Sequence, residues 1–148
     1  MTDYIKKIKD EIKAKDARYI QNVAYEIIKG FDDAVEAQIR SSDDKTHTGL
    51  KEYKYIKYAD ASGSWNVMGY PPTTIQYKIL HGDICEKVRE YLRSTCVGAW
   101  FDVGWETCPF EYSAPYVMFR IQIDWDGEKP QDVQSLEYHE MMYQRAMR

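Results

Sequence analysis

A chain of 148 residues, 44% hydrophobic and 30% charged, is long enough to bury one real core, and its length predicts a single domain over residues 1–148. No apolar run approaches a membrane span, and the amino-terminal Met-Thr-Asp-Tyr-Ile-Lys-Lys leads into charged amphipathic sequence, so no secretory segment is predicted there and the cytosol is the expected compartment. The net charge of −4 is uneven: nine acidic and four basic residues fall in 101–148, leaving +1 for the first hundred, which disfavours direct nucleic-acid binding because that needs a basic field.

From Ile5 to Ile39, apolar residues recur at spacings of three and four, the stripe of a helix that buries one face. The stripe lapses at Lys13-Ala-Lys-Asp16, where Asp16 has the chemistry of an N-cap. The pattern predicts a short helix over 3–14 and a longer one over 17–40, with Gly30 as a place for a further bend. A polar loop over 41–49 precedes a strand-like run from Leu50 to Ala59, rich in tyrosine.

The aromatic stretch from Trp65 to Pro72 is aperiodic and reads as a structured loop. Over 74–80, Ile75, Tyr77 and Ile79 alternate as on a strand, although a helix starting at Thr74 fits nearly as well. Asp83-Ile-Cys-Glu86 has capping-box spacing, predicting a helix to about Arg93. Val97, Ala99, Phe101 and Val103 predict a strand over 96–103, followed by a loop over 104–115. Tyr116 to Trp125 is the clearest segment: Val117, Phe119, Ile121, Ile123 and Trp125 fall on one side of a strand, with polar residues and Met118 on the other. Asp126-Gly127 is a turn signal, and a short amphipathic helix over 132–146 closes the chain. The order α-α-β-(β)-α-β-β-α predicts an α+β domain, with helices packed on one face of a small, largely antiparallel sheet.

Chemistry is harder to find. His81, Cys85, Cys96 and Cys108 lack the paired ligand spacing of a zinc site. With Asp83 starting a helix, His81 falls in a loop, and the odd cysteine count predicts reduced, packed thiols. Asp102 and the Asp124–Glu128 carboxylates would have to converge for metal-assisted hydrolysis, and a hairpin with Asp102 near its tip would place it beside Tyr116 instead. A pair such as Cys108 with His139 carries little information, and no glycine-rich phosphate cradle or nucleophile elbow is present. Catalytic, metal and cofactor residues are therefore not assigned.

Thirteen tyrosines and four tryptophans are the remaining signal. Each could serve sheet and loop packing, but aromatic side chains also give large contact area with few rotamers to freeze. The expectation is a small non-catalytic protein that occupies a protein partner's surface. Its contacts would come from Trp65, Tyr70, Trp105 and Tyr112 on aromatic loops and from Asp124, Asp126 and Glu128 in the acidic last third. The partner would be basic, such as a nucleic-acid enzyme, and membrane contact is not expected. Small acidic chains without motifs are common among phage and mobile-element accessory proteins that inhibit host enzymes, an analogy of style rather than of residues. The alternatives are a small metal-dependent hydrolase using the carboxylates, and a nucleotide-sequestering protein whose aromatic loops stack on a base.

Overall fold

The computed structural model describes residues 2–42, 49–58, 67–108 and 116–127. Five elements follow one another: α1 (Asp3–Ser41), β1 (Glu52–Tyr58), α2 (Ile75–Thr95), β2 (Trp100–Cys108) and β3 (Tyr116–Asp124). The predicted closing helix over 132–146 lies outside the described residues.

β3 is the central strand of a sheet ordered β1-β3-β2, antiparallel to both neighbours. Its alternation is that of a strand packed between partners, with Val117, Phe119, Ile121 and Ile123 buried on the inner face. Both helices cover that face. Val23, Ile27 and Phe31 of α1 and Ile84, Val88 and Leu92 of α2 meet the sheet in one core. The fold class is thus α+β, as the element pattern predicted. No helix among the described residues is long and apolar enough to cross a membrane.

Several local expectations are corrected. α1 is one helix rather than two, because Lys13-Ala-Lys-Asp16 holds no glycine or proline and its alanine and lysines favour helix. The lapse in the stripe marks where the helix leaves the core. Gly30 makes no break either; it admits the Tyr53 side chain from β1 against the helix backbone. Residues 75–80 are helix, not strand. Thr74 caps α2 by accepting from the Tyr77 amide at 3.3 Å. The trio Ile75, Tyr77 and Ile79 is divided, with Tyr77 buried and the two isoleucines exposed. The spacing that matters is Tyr77, Leu80, Ile84, Val88 and Leu92, the three-and-four stripe of a helix. Asp83 and Glu86, taken as a capping box, lie inside this helix.

The strand predicted over 96–103 begins at Trp100 and runs on to Cys108, through residues predicted as loop. Cys96 instead caps α2, donating its amide to the Leu92 carbonyl at 2.8 Å, and Gly98 takes the positive φ of the turn that follows. This longer strand changes the register. Asp102 sits opposite Gln122, not beside Tyr116, and Trp100 sits opposite Asp124.

Candidate functional site

The structure separates those predicted contact residues that it describes. Tyr70 closes a tight turn with Val67, whose central Met68 and Gly69 both take positive φ. Its hydroxyl donates to the Asp16 carboxylate of α1 at 2.7 Å, and that bond holds the phenol above its ordinary pKa. Trp105 is a correction: it is 3% exposed on the inner sheet face, so it has no surface to offer a partner. Trp65, Tyr112 and Glu128 lie outside the described residues.

Asp124 and Asp126 belong to a turn at the far end of β3. The Asp126 amide donates to the Asp124 carboxylate at 2.9 Å, and the Gly127 amide to the Asp124 carbonyl at 3.1 Å. Gly127 has φ +81°, and a Cβ there would lie 2.6 Å from the Gly98 carbonyl oxygen. Beside it, the Trp125 indole stacks on Phe31 and donates to the Leu50 carbonyl at 2.6 Å. The turn is pinned on both sides, with Asp126 held out in solvent. Tyr70 joins α1 at Asp16 and this turn joins it at Phe31; the 15 intervening helical steps amount to about 22 Å. Tyr70 and the acidic turn are therefore two patches rather than one.

The outer sheet face carries Asp102, Asp124, Glu52 and Glu106, which the strand register brings onto one side. Arg120, central among them, lies between Glu106 at 3.6 Å and Glu52 at 3.9 Å, and Lys54 reaches Glu52 at 3.3 Å. The carboxylates are thus closer to one another than the hairpin reasoning placed them. Among the described residues, no three histidine, cysteine or acidic side chains converge as a metal site would require.

His81 is the group that sequence reasoning placed worst. Expected in a loop, it lies within α2, is 0% exposed, and shares the buried face with Cys85, one helical turn on. Nδ1 donates to the Tyr77 carbonyl at 2.7 Å, which fixes the tautomer, since a carbonyl can only accept. The ring is packed by Tyr77, Trp105 and Phe119, with centroids 4.4, 4.8 and 5.8 Å away. Burial lowers its pKa to about 4, against a smaller opposing effect of the Tyr77 carbonyl. Among the described residues, His81 Nε2 and Trp105 Nε1 have no hydrogen-bond partner. The Tyr77 hydroxyl is shared with Thr107 Oγ1 at 2.9 Å, tying α2 to β2. Cys85 is a buried thiol and Cys96 a half-buried one. The helical spacing of Tyr77, His81 and Cys85 was the available signal, and it was hidden by starting the helix at Asp83.

A second feature was missed altogether. α1 and α2 run in the same direction, and between them lies a groove on the side away from the sheet. Its two cavities, of about 360 and 270 Å³, share Ala17, Ile20 and Asp83. The floor is apolar (Ala17, Ile20, Leu80), and Asp16, Asp83, Glu86 and Glu90 outnumber Lys13 and Lys87 around the rim. Further toward its start, α1 has no packing partner among the described residues. Residues 2–15 are all exposed, among them Tyr4 at 72%, Ile5 at 44%, Ile8 at 36% and Ile12 at 47%. Those isoleucines continue the helical period of the core stripe, which is why sequence reasoning counted them as core.

No family model, no curated protein and no solved structure matches this chain.

Proposed function

We propose that this is a non-catalytic binding protein that works by occupying the surface of a basic protein partner. The observation that carries the reading is the rigid acidic turn at Asp124–Gly127, whose side-chain and backbone bonds present the Asp126 carboxylate to solvent. A contact that is already ordered loses little entropy on binding, and a carboxylate held in place steers a cationic surface during encounter. An acidic surface of this kind would compete with nucleic acid for a host nucleic-acid enzyme, the action of an accessory inhibitor from a phage or mobile element. The neutral, enclosed state of His81 also supports a binding role over acid–base chemistry, since a general base must reach its substrate.

The test is a pull-down from source-cell lysate followed by surface plasmon resonance against the captured protein. Asp126→Lys should slow association, with an effect that shrinks as salt rises. Asp124→Asn, which removes charge while keeping an oxygen for the turn, should act in the same direction. An association rate indifferent to both changes would overturn the assignment of this surface.

A further inference from the structure

β1 and β2 flank the sheet, and its hydrogen-bond phase fixes which of their backbone groups face outward. The Ile123 amide donates to the Lys51 carbonyl at 2.9 Å, which makes these two a hydrogen-bonded pair. Such pairs alternate along an antiparallel ladder, so Tyr53, Tyr55 and Lys57 bond to β3. Glu52, Lys54 and Ile56 therefore turn their amides and carbonyls away from the sheet. Carried across β3, the same phase turns the Val103 backbone outward on β2. There α2 meets it, with Arg89 Nη2 donating to the Val103 carbonyl at 2.7 Å. Nothing among the described residues does the same for β1, whose three outward residues are all exposed. Lysines commonly guard such an edge against pairing. Here both lysines of the strand are engaged within the chain: Lys54 Nζ lies 3.3 Å from Glu52 and Lys57 Nζ 3.6 Å from Glu26. Ile56, 43% exposed, is the apolar neighbour that a guest strand would find.

We infer that the β1 edge is a docking site for an extended segment of a partner protein, which adds to the sheet as a further strand through its main chain. Shape selects this occupant over a second copy. α1 lies over β1, with Tyr53 against Gly30 and the Tyr55 hydroxyl on Glu26. Two-fold pairing of β1 with its own copy is antiparallel and puts both α1 helices on one face. Neighbouring strands are about 4.8 Å apart, whereas packed helices need about 8–10 Å between their axes. Two copies cannot close to strand distance, but a segment with no helix over it can. Charge selects the guest as well. With Lys54 and Lys57 held by Glu52 and Glu26, a charged guest gains little from the edge. The segment that fits is low in charge, with β-branched or aromatic residues on the side that meets Ile56. This edge is distinct from the Asp124–Gly127 turn, and the inference stands without the proposed function.

Residue-resolved amide exchange on the full chain tests it. In the free protein the Glu52, Lys54 and Ile56 amides should exchange fast, and those of Tyr53 and Tyr55 slowly. The probes are peptides that the full chain selects from a displayed random library, each longer than the seven residues of β1. A selected peptide at saturation should slow the three outward amides at least about tenfold. N-methylating alternate residues of that peptide should weaken binding at least about tenfold in one phase and less than about twofold in the other, because a strand bonds to one neighbour through every second residue. Lys54→Pro removes one outward donor at an edge position that tolerates proline, and should also weaken binding, with circular dichroism checking the fold. The methylated peptides need no change to the protein, so they decide the matter if that variant fails to fold. Outward amides already slow in the free chain would mean that its own residues cover the edge, and protection that rises with protein concentration alone would mean that a second copy does. Either result overturns the proposal. So does a library that yields no binder, a set of binders that protects other residues, or binding indifferent to the phase of methylation.

Discussion

His81 ties the chemistry of one residue to the stability of the whole fold. Its pKa is about 4 in the folded protein against an ordinary 6.5, so the unfolded chain binds a proton that the native state refuses. The favourable contribution is complete above pH 6.5 and is lost as the pH falls toward 4. A shift of this size corresponds to about 3 kcal/mol. Urea unfolding at pH 7 and pH 4 should show the stability difference between the wild type and His81→Leu shrinking by about that amount. Comparing with the variant cancels the carboxylates that titrate in the same range, and an unchanged difference would mean the ring is protonated in place. Gly30 poses a contrasting case. Helix propensity favours alanine by about 1 kcal/mol, but a Cβ there would run into the Tyr53 hydroxyl and ring. Gly30→Ala should therefore lower Tm, and Tyr53→Leu in the same chain should recover part of the loss.

At the level of elements, α2 and β3 make different demands. α2 passes through Gly82, where a Cβ would meet nothing within 4 Å and φ is not positive. Gly82→Ala should stabilise the protein by up to about 1 kcal/mol, while Thr74→Ala should cost about 1 kcal/mol through the lost cap. Opposite signs in urea unfolding would establish that 74–95 is one capped helix; a strand over 74–80 would not gain from alanine. β3 bears the largest single cost. Phe119 is 1% exposed between β1 and β2 and packs on His81, so Phe119→Ala should cost about 3–5 kcal/mol. A loss under about 1 kcal/mol would mean that this face of the central strand is not packed.

Across the whole molecule, the sheet, α2 and the far half of α1 make the core, and the near half of α1 extends beyond it. A free-standing amphipathic helix of this length is marginal in water, so its stability depends on what covers it. The Asp124–Gly127 turn lies at the opposite end of the packed region, beside Phe31.

Local patterns in the chain determined the existence of α1, the strand β1, the inner face of β3, the turn at Asp126-Gly127 and the α+β class. These are set by periodicity and by turn chemistry, which act over a few residues. Tertiary structure decided what periodicity cannot express. Ile5, Ile8 and Ile12 share the spacing of Val23, Ile27 and Phe31, yet only the latter have a sheet beneath them. Period reports which side of a helix is apolar, not whether anything lies on that side. Ile75, Tyr77 and Ile79 satisfied two periods at once, and the choice fell to helix because Tyr77, Leu80, Ile84 and Val88 could then all reach the core. Asp102 came to face Gln122 because β2 ran four residues beyond Gly104 to Cys108, and strand length sets register. Trp105 went inward with that extension. Each of these outcomes depends on a partner distant in the chain, and that placement is where local sequence stops being informative.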